Sequence, residues 1–371
     1  MRIAHVVSTF YPRLGGMGVV VYDESKALVL RGHSVSVFTM RYGSETGSEA
    51  VDGFMVERLK PILRRGDGGV VRFGDRFKDF DIVHLHLPWY GSAWLAARAA
   101  RQARVPLVVT LHMEGQMTGM RQIYKKISDE FFLGTILRNA NQVFLVSKTY
   151  FARSAYLKNL RADKISELPN PVDSNIFTLG TRDRAILGNL ALGEGKVILF
   201  VGNLMPVKRL DLLLRALAEG DSDWRLAVVG GGYSEKKFRK MAEDLKIGDK
   251  INFFGSMARA ELSRFYRAAD CVVVPSDSES FSLVAAEAMA SGTLVIKSHS
   301  EGNQASEDDG IFKFLAGSAT DLIAKLCLIF SMSEEERKNL GSKVSPAVQN
   351  KFSLAAHVDL LENAYFSQHV I

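Results

Sequence analysis

Short runs of consecutive apolar residues alternate with longer segments of mixed polarity along all 371 residues. Apolar runs of this length suit strands covered on both faces, and the segments between them suit the covering helices. The pattern predicts strands at Ile3–Val7, Ser34–Thr39, Ile82–His86, Leu107–Leu111 and Val143–Val146, with helices at Val19–Arg31, Ser92–Ala103 and Ile123–Arg138. Leu168-Pro169-Asn170-Pro171-Val172-Asp173 then interrupts regular structure with closely spaced prolines. A second set of strands is expected at Val197–Val201, Leu226–Val229, Ile251–Phe254, Cys271–Val274 and Leu294–Ile296. Two α/β domains follow, each a doubly wound parallel sheet. Ser353 to Phe366 reads as a closing amphipathic helix.

Composition narrows the class without naming a chemistry. With 47% hydrophobic and 24% charged residues, the chain reads as soluble and globular. No run approaches the ~18 apolar residues of a membrane-spanning helix. Met1 to Ser8 reads as a first strand, not a signal peptide, so a cytoplasmic location is expected. Cys271 and Cys327 both read as small core residues. Residues 1–170 hold 24 Lys/Arg against 15 Asp/Glu, whereas residues 171–371 hold 23 against 26. The basic excess gathers at Arg58 to Lys78, at Arg98, Arg101 and Arg104, and at Arg121, Lys125 and Lys126. It suits an anionic membrane surface at the inner face or a phosphorylated acceptor, and equally suits solvated helix faces. No nucleic-acid-binding module is recognisable, so nucleic acid is not an expected partner.

The chemistry concentrates in Pro275-Ser276-Asp277-Ser278-Glu279-Ser280-Phe281-Ser282-Leu283-Val284-Ala285-Ala286-Glu287. A buried strand precedes it, and Leu283 to Ser291 reads as a helix with Gly292 just past its end. Such a helix aims free N–H groups and a positive dipole end at whatever lies before it, a place for a diphosphate. Glu279 in the loop and Glu287 inside the helix can then accept from hydroxyls on either side of that phosphate. The segment resembles the Glu-x7-Glu motif of the retaining GT-B glycosyltransferases of family four, and the likeness extends over Ala269-Asp270, Glu287-Ala288-Met289-Ala290 and Val295-Ile296. The resemblance implies that Glu279 contacts the donor sugar and Glu287 the ribose, with Ser280, Phe281, Ser282, Leu283 and Val284 lining the donor site. Ser282 stands where that family often has Gly, and Leu294 where it often has Pro.

Phe200-Val201-Gly202-Asn203-Leu204-Met205-Pro206-Val207-Lys208-Arg209 has the form of a strand leading into a helix, a junction that faces the ligand side of an open α/β sheet. Gly202 permits a tight turn and Lys208 offers a mobile point charge. The stretch resembles the family's Gly-Arg-x-x-x-x-Lys, with Asn203 in place of the Arg, which leaves Lys208 as the main side-chain cation for the leaving diphosphate. Gly15 and Gly16, between the first strand and helix, suit close approach of backbone to an anion, and in the resembled family this loop closes over the donor phosphate. Gly230-Gly231-Gly232 is assigned a shaping role. His112, at a strand's carboxyl end, resembles the family histidine that contacts the donor sugar. His84 and His86 point to one face of a strand, but with no third ligand evident no metal is expected.

The resemblance thus implies a GT-B fold of two Rossmann-like domains facing across a cleft. The acceptor-side domain would span 1–170 together with the helix from about 353 to 371, and the donor domain 171–352. The activity implied is retaining transfer of a hexosyl group from a nucleotide diphosphate sugar to a hydroxyl of a polysaccharide, glycolipid or small molecule. It needs neither cofactor nor metal, and a cell-envelope role fits it. A sugar phosphorylase of the same fold and a non-catalytic nucleotide-sugar-binding protein stay open as alternatives.

Overall fold

A computed structural model describes the chain except for residues 13–14, 44–46, 66–67, 115–131, 153, 155, 159, 192–194, 278, 300–309 and 370–371. Its contacts divide it into two compact units, Met1–Pro171 with Leu354–Ile371, and Val172–Ser353. The proline-bearing stretch ends at the boundary between them.

The main sheet of the first unit has eight strands among the described residues, in the order β10-β9-β8-β7-β1-β2-β4-β3. These are β1 (Arg2–Val6), β2 (Ser34–Met40), β3 (Ser48–Val51), β4 (Phe54–Leu59), β7 (Ile82–Leu87), β8 (Leu107–Leu111), β9 (Gln142–Leu145) and β10 (Ile165–Glu167). All pair in parallel except β3 with β4. A two-stranded hairpin, β5 (Leu63–Arg65) with β6 (Gly68–Val70), stands apart. Every residue of β7 and β8 is buried, which explains their unbroken apolar runs. Helices Gly16–Leu30 and Ala93–Ala103 cover the sheet. Helix Leu354–His369 joins the same core through Val358, Leu361 and Tyr365, packed with Ile3, Val21 and Leu28. Of the helix expected at 123–138, only Gly134–Asn139 lies within the described residues.

The second unit is a six-stranded parallel sheet, order β13-β12-β11-β14-β15-β16. Its strands are β11 (Lys196–Val201), β12 (Trp224–Val229), β13 (Ile251–Gly255), β14 (Cys271–Val274), β15 (Leu294–His299) and β16 (Ile311–Leu315). Alternate residues of each strand face two separate apolar layers: Ile198, Val273 and Ile296 on one side, Leu199, Val272 and Val295 on the other. The first layer takes helices Leu210–Glu219 and Ala319–Ser331, and the second takes Arg259–Ala268 and Leu283–Ala290.

The structure corrects one cysteine. Cys271 is buried in β14, but Cys327 is exposed on helix Ala319–Ser331, which turns Leu322, Leu326 and Ile329 to the core. No described helix is long and apolar enough to cross a membrane.

Candidate active site

In the second unit the predicted groups converge where parallel strands end. β11 runs into Gly202, whose φ of +150° suits glycine, and β12 into Gly230, whose φ is +128°. The two turns pack backbone against backbone. Gly202 N donates to Val229 O at 3.0 Å, Leu204 N to Gly231 O at 2.9 Å, and a Cβ on Gly230 would fall 2.0 Å from Gly202 O. The triple glycine therefore lets one loop lie on another.

Lys208 closes a short 3-10 turn, Pro206–Lys208, before helix Leu210–Glu219. Its Nζ donates to Glu279 Oε1 at 2.7 Å, and Ser276 Oγ donates to the same oxygen at 2.8 Å. Burial pushes the Glu279 carboxyl up in pKa. The Lys208 charge and hydrogen bond, the Ser282 hydroxyl and the Lys297 charge outweigh that, and the net direction is down. Glu279 is thus held as a carboxylate by the Lys208 contact and the charge of Lys297. Arg209 adopts a left-handed backbone at φ +51° and binds Asp277 at 2.7 Å and Asp211 at 3.2 Å. Its charge is spent on holding the loop.

Ser282 caps helix Leu283–Ala290, its side chain accepting from Ala285 N at 3.3 Å. Glu287, one turn further in, is buried, and Tyr266 Oη donates to its Oε2 at 2.9 Å. Arg259 lies 3.8 Å from the other oxygen. Burial beside this carboxylate drives the Tyr266 phenol well above its ordinary value, so the phenol keeps its proton. Asp270, from the same motif, is structural: it accepts from Val197 N at 2.8 Å and from Arg182 and Arg337 at 2.6 and 3.0 Å.

Lys297 was missed by sequence reasoning, which ended the strand at Ile296. β15 continues to His299, and Lys297 pairs in register with Val274 at the end of β14. The next residue, Ser298, donates to Ser276 O at 2.5 Å. Burial pulls the Lys297 ammonium below its ordinary pKa; Glu279 opposes that, while Lys313 and Lys208 add to it. Lys297 is thus a half-buried cation whose charge is felt by both Glu279 and Lys208.

In the first unit, Gly15 is the N-cap of helix Gly16–Leu30, extended at φ −105°. His112 follows β8 and is buried, its N–H donating to Leu87 O at 3.0 Å. His84 and His86 do not stand as a pair. His5, Glu24, His84 and His86 offer ligand-type atoms all within 4.8 Å of one another, every one fully buried. The expectation that no third such group is near is therefore corrected: β1 lies beside β7 and brings His5 opposite His84, while helix Gly16–Leu30 supplies Glu24. The two glutamates of the motif and Lys208 belong to the second unit, whereas His112, Gly15 and Gly16 belong to the first.

The sequence profile described as glycosyl transferases group 1 matches residues 184–344, and that described as glycosyltransferase family 4 matches residues 14–175. The D-inositol 3-phosphate glycosyltransferase of Frankia alni is 32% identical, with 80% of this chain and 81% of that protein covered. The protein of that name from Corynebacterium aurimucosum is 29% identical over 95% of this chain and 90% of its own length. Among solved structures, sucrose-phosphate synthase from Thermosynechococcus elongatus superposes with a TM-score of 0.80 at 22% identity, covering 99% of this chain and 98% of that one. Anabaena HepE in complex with UDP-glucose gives 0.78 at 18% identity, covering 99% and 100%. These structural neighbours are similar in fold: two Rossmann-like domains of the GT-B type.

Proposed function

Given that the chain belongs to the group 1, family four glycosyltransferases of GT-B type, we propose that it moves a hexosyl group from a nucleoside diphosphate sugar to a hydroxyl, with retention at the anomeric carbon. The observation that carries this reading is the Lys208–Glu279 contact of 2.7 Å, set before the N-terminus of helix Leu283–Ala290 with Glu287 one turn inside it. Departure of the diphosphate develops negative charge, and a fixed cation and oriented N–H groups stabilise that charge without reorganising. In this reading Lys208 turns from Glu279 to the phosphate as donor binds, and Glu279 is released to accept from a sugar hydroxyl. Glu287 meets the ribose. Lys297 contributes the second positive charge that Asn203 does not. The leaving phosphate takes the acceptor's proton, so neither a protein base nor a metal enters the scheme.

UDP sugars are the first donors to try, because a neighbour of the same fold is described in complex with UDP-glucose. A phosphorylated polyol is the first acceptor to try, because the relatives are named for inositol 3-phosphate. The basic excess of residues 1–170 suits such an anion. The test is a thermal-shift panel of UDP, GDP, ADP and their sugar conjugates on native protein and Glu287→Ala. A stabilised native protein and an unresponsive variant are expected with one nucleotide base. No shift with any nucleotide would move the assignment to a phosphorylase, whereas a shift with no turnover on any sugar nucleotide would move it to a non-catalytic nucleotide-sugar-binding protein.

A further inference from the structure

Asp270 and Glu287 are both buried carboxylates of the second unit, and they are held in different ways. Asp270 accepts from a backbone N–H and from two arginines, and it serves the fold. Glu287, on helix Leu283–Ala290, is met by a phenol: Tyr266 Oη donates to its Oε2 at 2.9 Å. Arg259 Nη2 stands 3.8 Å from Oε1, outside hydrogen-bond range, and the same guanidinium lies over the Phe177 ring at 5.2 Å.

Tyr266 is itself fixed from several sides. It is fully buried on helix Arg259–Ala268, its ring meets Phe177 edge to face at 5.8 Å, and its backbone carbonyl accepts from Thr293 Oγ1 at 2.7 Å. The layer around the ring is otherwise apolar, with Phe265, Ala285, Ala286 and Met289 among its members. Packing alone would be met by phenylalanine here. A hydroxyl in such a layer is unfavourable unless bonded, and a buried carboxylate is more so. The pairing of the two therefore does something that packing does not. The last torsion of a glutamate is broad, so a carboxylate without a fixed donor turns freely. Tyr266 removes that freedom. It occupies one of about four accepting positions on the carboxylate, so the same group can accept from a ligand as well.

We propose that Tyr266 is a positioning residue that locks the Glu287 carboxylate in the orientation that accepts from ribose hydroxyls, and so sets the margin by which this protein prefers a ribonucleotide to its 2′,3′-dideoxy counterpart. The proposal rests on the reading that Glu287 meets the ribose. Tyr266, Glu287, Arg259, Phe177 and Thr293 all belong to the second unit. A site built around a ligand hydroxyl discriminates against a ligand that lacks it, because the buried acceptor is then left without its donor. The discrimination is largest when that acceptor cannot swing away.

Calorimetric titration of the full chain compares whichever of UDP, GDP and ADP binds best with its 2′,3′-dideoxy form. Native protein is expected to bind the ribonucleotide about tenfold tighter or more. Tyr266→Phe keeps the ring and should weaken the ribonucleotide about tenfold, the worth of one hydrogen bond to a charged group, while the Kd of the dideoxy form stays constant. An equal loss for both ligands would show that Tyr266 only supports the pocket, and would overturn the proposal. A native preference that survives in folded Tyr266→Phe removes the positioning role and leaves the Glu287 reading intact. Should Tyr266→Phe not fold, Glu287→Ala with and without that second change carries the test at millimolar nucleotide. No further loss of ribonucleotide binding is expected in the double variant, and a further loss overturns the proposal. A native protein that binds no nucleotide, or binds without preferring ribose, overturns the Glu287 reading and the proposal with it.

Discussion

At the scale of single residues, the site is a balance of charges in which each cation has a separate task. Lys208 binds Glu279 directly, Lys297 sits half-buried beside them, and Arg209 is tied to Asp211 and Asp277. Replacing Lys208 by Ala should cut kcat by two orders of magnitude or more, the size of effect seen when one stabilising donor is lost. Lys297→Met keeps the length and apolar stem of the side chain. It should weaken diphosphate binding about tenfold, read as the Kd for the free nucleoside diphosphate, while the nucleoside's Kd stays constant. Equal loss for both ligands would show that Lys297 only shapes the pocket. The motif itself was legible in the sequence because Glu279 and Glu287 are close along the chain and flank a helix start. Lys297 was not, because Lys297-Ser298-His299 is polar and a strand that turns polar at its carboxyl end resembles a loop. The partners of His86 were equally out of view, since His5, Glu24 and His112 meet it only through parallel register and a covering helix, and His357 joins Glu24 from the returning one.

At the scale of elements, the two glycine turns of the second unit behave as one object. Gly230→Ala places a Cβ 2.0 Å from Gly202 O at a φ of +128°, so clash and backbone strain combine. A loss of about 2 kcal/mol or more is expected, measured as a lowered calorimetric unfolding midpoint, together with weaker nucleotide binding. Gly15→Ala is the contrast: its Cβ meets nothing within 4 Å and its φ is negative, so the midpoint should fall only by the ~1 kcal/mol or less that separates alanine from glycine at an N-cap. The long apolar strands were predicted to within one or two residues at most ends. The strands left out of the reading were short or carried charge. β4 includes Glu57 and Arg58, and Arg58 is buried through contacts with Glu49 and the Tyr11 carbonyl that no local pattern displays. β10 spans only three residues.

For the molecule as a whole, the buried titratable cluster sets the response to acid. His5 and His112 titrate at about 4 in the folded chain against an ordinary 6.5, and Glu24 at about 2 against 4.5. Folded values below the unfolded ones mean that the unfolded chain binds more protons, so stability falls as pH falls. The histidine contribution is complete above pH 6.5 and is lost progressively toward pH 4; the Glu24 contribution is lost between pH 4.5 and 2. A thermal midpoint that is level from pH 8 to 7 and declines steadily from 6.5 to 4 is expected. A midpoint indifferent to that interval would mean these rings are hydrated and not enclosed. The two-unit α/β architecture was legible from alternation alone, because every crossover between parallel strands needs a helix-length segment.

The return of helix Leu354–His369 to the first unit bears on how the chain is made. Translation delivers residues 2 to 171 first, yet their core waits for Val358, Leu361 and Tyr365, and Glu24 waits for His357. A nascent chain halted just before Leu354 holds the described strands of the second unit and a first unit whose interior carboxylate lacks its contact with His357. The part synthesised first is thus the part finished last, and the stretch between pays no such delay.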